Sequence, residues 1–159
     1  MVTKELLNEL FEYKNGILYS KVDRYKTAIK KGNVVGSISN QGYLRTCINY
    51  KSYKLHRLIF MMFYGYMPVE IDHVNGNKTD NRIENLREVS HSQNEWNKSK
   101  TVRNTTGIKN ITFENGKWRV RVGANNKTIN VGIFDNLELA ELVAQEARSK
   151  YHGNFANHG

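Results

Sequence analysis

Residues 71–97, IDHVNGNKTDNRIENLREVSHSQNEWN, bring together Asp, His and Asn at spacings that could do chemistry. Turn formation accounts for Asn75-Gly76 and Asp80-Asn81. It does not account for Asp72-His73 directly after an apolar Ile71, nor for Asn85 and Asn94 further on. An imidazole titrates at about 6.5, near working pH, and can take a proton from water. A carboxylate and an amide oxygen are hard donors for a divalent cation such as Mg²⁺, which takes one or two protein oxygens and completes its shell with water and substrate phosphate. Base and cation together are what hydrolysis of a phosphodiester needs, the cation offsetting charge on the attacked phosphate and the leaving oxygen. Taken singly, Asp72, Asn85 and Asn94 read as caps or turn formers and His73 as a core histidine. The four together carry the chemical reading. One geometric condition follows: strand neighbours point to opposite faces, so Asp72 and His73 can share a site only at a strand end or a bend. The single cysteine, Cys47, excludes an internal disulfide and any zinc site built from two or more thiolates.

The elements that must position these residues are short. Thr3 can cap a helix over 3–12 whose Leu6, Leu7, Leu10 and Phe11 share a stripe, and Asn15-Gly16 is a hairpin turn between Glu12-Tyr13 and Ile17-Leu18-Tyr19. The run 43–50 is rich in strand formers and pairs with 52–55, while 21–31 reads as a polar, basic loop. From His56 to Tyr64 the chain is apolar all round, predicting a buried helix that ends at Gly65. His56 and His91 read as structural or capping residues, and Arg57, Arg82 and Arg87 are open to clamping phosphate or to salt bridging. Residues 98–106, KSKTVRNTT, have almost nothing to bury, which predicts a boundary: one domain over 1–98, a linker over 99–106, a second domain over 107–159. In the second domain three strands, about 108–113, 117–123 and 127–133, precede a helix capped by Asp135 or Asn136 with an inward stripe of Ala140, Val143, Ala144, Ala147 and Tyr151.

Charge points to a polyanionic partner. The 159 residues carry 24 Lys plus Arg against 15 Asp plus Glu, a net charge of +9 with a pI near 9.6. Residues 13–57 hold ten of the basic residues against one acid, Asp23, and 99–133 hold seven against Glu114. Two basic segments separated along the chain match the footprint of phosphate neutralisation. No apolar run approaches the ~18 residues a membrane span needs, and MVTKELLNEL places acidic residues where a secretory signal needs an apolar stretch, so a soluble, intracellular, cytoplasmic protein with no membrane partner is expected.

At LHRLIFMMFYGYMP and IDHVNGNKTDNRIENLR the sequence resembles the HNH endonucleases with a ββα-metal site, and more closely the phage-type homing endonucleases among them, over roughly 10–97. The resemblance implies a metal-dependent DNA endonuclease of α+β class. In it His73 is the general base, Asn85 steadies the ββα loop as the other catalytic residue, and Asp72 with Asn94 ligate the metal, Mg²⁺ first and Mn²⁺ as its substitute. Asn94 stands where the family name has a second His, and Asn97, one helical turn on, competes for the ligand role. The resemblance also implies a double-stranded DNA partner, no small-molecule cofactor and expression in an infected host cell. One His73 and one metal site per chain, with no heptad pattern or conspicuous apolar edge for a stable dimer, predict a monomer that nicks one strand, a dimer being the route to cutting both. A non-catalytic DNA-binding regulator is the competing class, and an RNA-binding protein ranks third.

Gly107-Ile108, GKWRVRV, NVGIFD and EARSKYHGNFAN make 107–156 resemble the three-stranded Apetala or ethylene-response-factor DNA-binding domain, a sheet packed on one helix. Independently of family, alternation turns Trp118, Val120 and Val122 one way and Lys117, Arg119 and Arg121 the other. In the same phase Ile129 and Val131 point inward and Thr128 and Asn130 outward, with Lys109 joining them from the first strand. Lys109, Lys117, Arg119, Arg121, Thr128 and Asn130 are thus the expected DNA-facing set, on a sheet narrow enough for the roughly 12 Å wide major groove.

Overall fold

In the computed structural model, residues 2–23, 29–98, 104 and 106–158 are described; most of the expected linker and the middle of the basic loop lie outside them. The fold is α+β, built from two compact units, 1–88 and 89–159.

In the first unit, Thr3 Oγ1 accepts from the amide of Leu6 and starts α1 (Lys4–Leu10). The helix stops two residues earlier than its stripe predicts, because Phe11 leaves it as the first residue of β1 (Phe11–Lys14) while staying buried in the same core. Asn15 and Gly16 both take positive φ, 47° and 84°, and turn the chain into β2 (Ile17–Ser20) with Lys14 opposite Ile17. The edge strand β3 (Val34–Val35) completes this sheet, and β4 (Ser37–Ile38), β5 (Leu44–Ile48) and β6 (Lys51–Lys54) form the next. The β5–β6 turn sits at Asn49-Tyr50, both at positive φ, where a strand had been expected to run on through Tyr50. Tyr50 is a poor turn residue by type, so composition hid the turn. Helix α2 (Leu55–Tyr64) buries Leu55, Leu58, Ile59, Phe60 and Met62 against Leu7, Phe11, Leu18, Val35 and Ile48, and ends on left-handed Gly65, as expected. Strands β7 (Glu70–His73) and β8 (Leu86–Val89) pair, with a 3-10 turn over Ile83–Asn85 between them.

The second unit begins earlier than the expected boundary. Ser90 caps α3 (His91–Asn97) in a reciprocal box with Gln93. That helix is held from its own unit: the Trp96 ring stacks on His152 at 4.7 Å, Lys109 Nζ donates to the Trp96 carbonyl at 2.8 Å, and Asn157 Nδ2 donates to that of Asn97 at 2.6 Å. Strands β9 (Ile111–Glu114), β10 (Lys117–Ala124) and β11 (Lys127–Phe134) form an antiparallel sheet in the order β11-β10-β9, with turns at Asn115-Gly116 and Asn125-Asn126. Asn136 Oδ1 accepts from the amide of Leu139 to start α4 (Leu137–His152), whose Ala140 and Ala144 pack on Ile111 and Val120. The lower half of its stripe differs from expectation. Arg148 and His152 are buried in place of Tyr151, because the Arg148 guanidinium donates to the Lys109 carbonyl and His152 Nε2 to that of Gly123. A register shift between Val120 and Arg121 places Gly132 opposite Val120, and a Cβ there would meet the Phe134 ring at 2.7 Å.

Candidate active site

His73 is the last residue of β7, so the strand-end condition on Asp72-His73 is met, and both side chains are buried, 8% and 4% exposed. Asp72 Oδ2 accepts from Arg87 Nε and Nη2 at 3.0 and 2.8 Å, across the β7–β8 pair. His73 Nε2 lies 3.0 Å from Asn81 Oδ1. Its ring is packed edge-on by His56, 5.0 Å between centroids, and tilted against Tyr43 at 6.0 Å. Burial is the main reason its imidazole titrates below the usual value, with Asn81, Asp72 and Asp80 opposing and Lys78 adding to the depression. His73 is therefore neutral, with a lone pair for a proton, at neutral pH.

The loop after β7 is closed by Asn85. Its Oδ1 accepts from the Asn75 amide at 3.0 Å, and its Nδ2 donates to Asn75 Oδ1 and to the Asp80 carbonyl at 3.0 and 2.7 Å. Asp80 in turn takes both Nε and Nη2 of Arg82, which holds its carboxyl below the ordinary range. The three arginines weighed as phosphate clamps all have internal partners: Arg57 the carbonyls of Pro68 and Val69, Arg82 the Asp80 carboxylate, Arg87 that of Asp72. His56 is a buried second residue of α2, driven down to about 3 mainly by burial and then by the charges of His73, Lys54 and Arg57. His91 is exposed at the start of α3.

Asn94 and Asn97 belong to the second unit. Asn94 is half-buried and its amide bonds the Ser90 carbonyl; Asn97 is buried at the end of α3. Among the described residues no three His, Cys, Asp or Glu side chains converge as a metal cluster. In the first unit the Asp72 carboxylate is a hard oxygen donor of the kind that suits an ion keeping much of its water shell, as Mg²⁺ does.

On the outer sheet face, Thr128 and Asn130 are exposed. Arg119 and Arg121 both reach Glu114, at 2.9 and 3.2 Å, and Lys117 reaches Asp135 at 3.0 Å. Lys109 departs most from expectation. It is half-buried, with Nζ donating to the Trp96 and Lys98 carbonyls at 2.8 and 2.5 Å, and burial beside Arg148 lowers it to about 8. It serves the C-terminal carbonyls of α3 instead of an outer face. Two residues without an expected part emerged, Asn81 and Glu114. Asp80-Asn81 reads as turn chemistry, and nothing in the sequence marks Glu114 as the partner of two arginines.

No helix among the described residues is long and apolar enough to cross a membrane. Residues 53–96 match the HNH endonuclease family, a segment that runs from β6 through α2, β7 and β8 into α3. Protein 3.8 of Escherichia phage T7 is 33% identical over 113 residues, covering 67% of this chain and 91% of that protein. The Acanthamoeba polyphaga mimivirus protein "Uncharacterized HNH endonuclease L560" is 31% identical over 106 residues, 65% of this chain, which spans about half (55%) of that protein's length. No solved structure matches the chain significantly. Over residues 53–96, the segment that carries the buried Asp72-His73 pair and its Asn85-closed loop, this chain is therefore similar to the HNH endonucleases.

Proposed function

We propose that this protein is a Mg²⁺-dependent DNA endonuclease that acts as a monomer, nicks one strand of a duplex in the manner of phage homing enzymes, and uses its C-terminal unit to hold DNA. The observation that carries the reading is His73: a neutral imidazole at a strand end, beside a carboxylate, on a loop tied shut by Asn85. In this reading His73 takes the proton from the attacking water. Asp72 and Asn94 hold the cation, with Asn97 the alternative ligand, and Asn85 keeps the loop from β7 to β8 closed. A bound Mg²⁺ supplies charge stabilisation at the scissile phosphate. Arg87 holds the Asp72 carboxylate oriented through two N–H bonds.

Cations close to His73 support a polyanionic substrate. Lys54 and Lys78 place their ammonium groups 4.1 and 5.0 Å from the centre of the Tyr43 ring, and Arg45 stands opposite Lys54 across β5–β6. In the second unit Arg119, Arg121, Lys117, Thr128 and Asn130 present a mixed basic and hydrogen-bonding face to DNA, and Lys109 acts through α3. The chain is expected in the cytoplasm of an infected host cell. The test is conversion of supercoiled plasmid with and without Mg²⁺, by wild type and His73→Ala. Open-circular product that needs both the metal and His73 is expected. Binding without metal-dependent cleavage would make the chain a DNA-binding regulator instead, and linear product without an open-circular intermediate would overturn nicking.

A further inference from the structure

We infer that Asn81 is a positioning residue: its side-chain oxygen fixes the tautomer and orientation of His73 so that the lone pair on Nδ1 takes the proton. The inference rests on the nuclease reading above and adds a residue to it. A neutral imidazole carries one N–H and one lone pair, and the partner of one nitrogen decides which is which. Asn81 Oδ1 stands 3.0 Å from His73 Nε2, and a carboxamide oxygen only accepts, so the proton resides on Nε2. Water cannot take over this bond, since Asn81 is 1% exposed.

The surroundings fix Asn81 as firmly as it fixes His73. Asp80 before it is pinned by Arg82 and by Asn75 Nδ2 at 2.7 Å, and the Asp80 carbonyl receives Asn85 Nδ2. The β1–β2 turn presses on the Asn81-Arg82 peptide, where a Cβ on Gly16 would stand 2.7 Å from the Arg82 nitrogen and 3.0 Å from the Asn81 carbonyl carbon. On the other side, His56 edge-on and Tyr43 tilted confine the plane of the His73 ring. Packing restricts the plane and Asn81 selects the nitrogen. The Asn81 amide nitrogen is buried with no hydrogen-bond partner among the described residues, which an asparagine kept only for its turn would avoid.

The test uses the full chain. The ¹⁵N shifts of His73 at pH 7 report its tautomer, and single-turnover nicking with Mg²⁺ reports its consequence, in wild type, Asn81→Asp and Asn81→Leu. In wild type Nε2 is expected to carry the proton. Asn81→Asp keeps an acceptor in place and should keep the tautomer and cleave within about tenfold of wild type. Asn81→Leu should mix the tautomers and lower kcat by about 10²-fold or more, within the range general-base catalysis contributes, with KM for DNA unchanged. A His73 protonated on Nδ1 in wild type, an Asn81→Asp that loses both tautomer and activity, or an Asn81→Leu that keeps the wild-type tautomer, would overturn the inference. Should Asn81→Leu fail to fold, wild type and Asn81→Asp still decide. A wild type with the expected tautomer but no nicking would defeat the nuclease reading and leave the positioning intact. Equal nicking by wild type and Asn81→Leu would do the reverse.

Discussion

His56→Phe should make the first unit less sensitive to acid. His56 is 4% exposed, wedged between Tyr43 and His73 with ring centroids at 5.2 and 5.0 Å, and its Nδ1 has no hydrogen-bond partner among the described residues. Burial holds its titration at about 3 against an ordinary 6.5. Because the folded value of this base is lowered, the unfolded chain binds a proton that the native state refuses. The neutral imidazole therefore contributes stability that is present above pH 6.5 and lost as pH falls toward 3. The whole difference corresponds to about 5 kcal/mol, and the part lost between pH 7 and pH 5 to about 2 kcal/mol. Phenylalanine preserves an aromatic ring in the slot and removes the titration, so a slope from His73, also lowered by burial, should remain. The assay is urea unfolding of wild type and His56→Phe at pH 7 and pH 5, followed by far-ultraviolet circular dichroism. Tryptophan fluorescence serves as a control, since Trp96 and Trp118 both lie in the second unit. The variant should lose about 2 kcal/mol less than wild type across that interval. An equal loss in both proteins would refute the reasoning.

Further outcomes test the other parts of the site. His73→Ala should lower nicking by about 10²- to 10⁴-fold with DNA affinity nearly unchanged, and gel-shift binding falling in parallel with cleavage would instead make His73 structural. Asp72→Ala and Asn94→Ala should raise the Mg²⁺ concentration needed for half-maximal nicking, partly restored by excess Mg²⁺ or Mn²⁺; the same defect in Asn97→Ala but not Asn94→Ala would move the ligand by one turn. Glu114→Gln should release Arg119 and Arg121 and tighten duplex binding, whereas Arg119→Ala with Arg121→Ala should flatten the salt dependence by about 0.9 per lost phosphate contact. A fragment of 89–159 should melt higher than one of 107–159, because α3 brings the Trp96–His152 stack and the carbonyls that Lys109 bonds.

The turns and caps of this fold were legible because their residue types have few other uses. Asn15-Gly16, Asn115-Gly116 and Asn125-Asn126 all adopt the positive φ that their types tolerate, and Thr3 and Asn136 cap the helices they precede. What stayed hidden involves polar residues placed against type. Arg148 and His152 read as the solvent side of a helix, yet they are buried because Lys109, in the turn before β9, and Gly123, in β10, offer carbonyls only a folded chain brings near. Lys109 reads as a surface cation for the same reason, its true partners being carbonyls 11 and 13 residues back.

The site shows the same division more sharply. Asp72, His73, Asn85 and Asn94 stood out because turn formation could not explain them, but Asn81 was lost in the explanation that turn formation does supply. Asparagine imitates the backbone, accepting and donating through a group shaped like a peptide, so any Asn in a polar loop is accounted for before chemistry is considered. Between Asn75 and Asn85 four asparagines occupy one loop, and their roles separate only by where their bonds go. Asn77 bonds Thr79 two residues on, which is turn chemistry; Asn75 and Asn85 bond each other across ten residues, which closes the loop. Asn81 bonds neither its neighbours nor the closure, but reaches back eight residues to the one imidazole whose tautomer matters. Sequence separation of the partner, which no single-chain pattern reveals, distinguishes a residue that shapes the loop from one that aims the base.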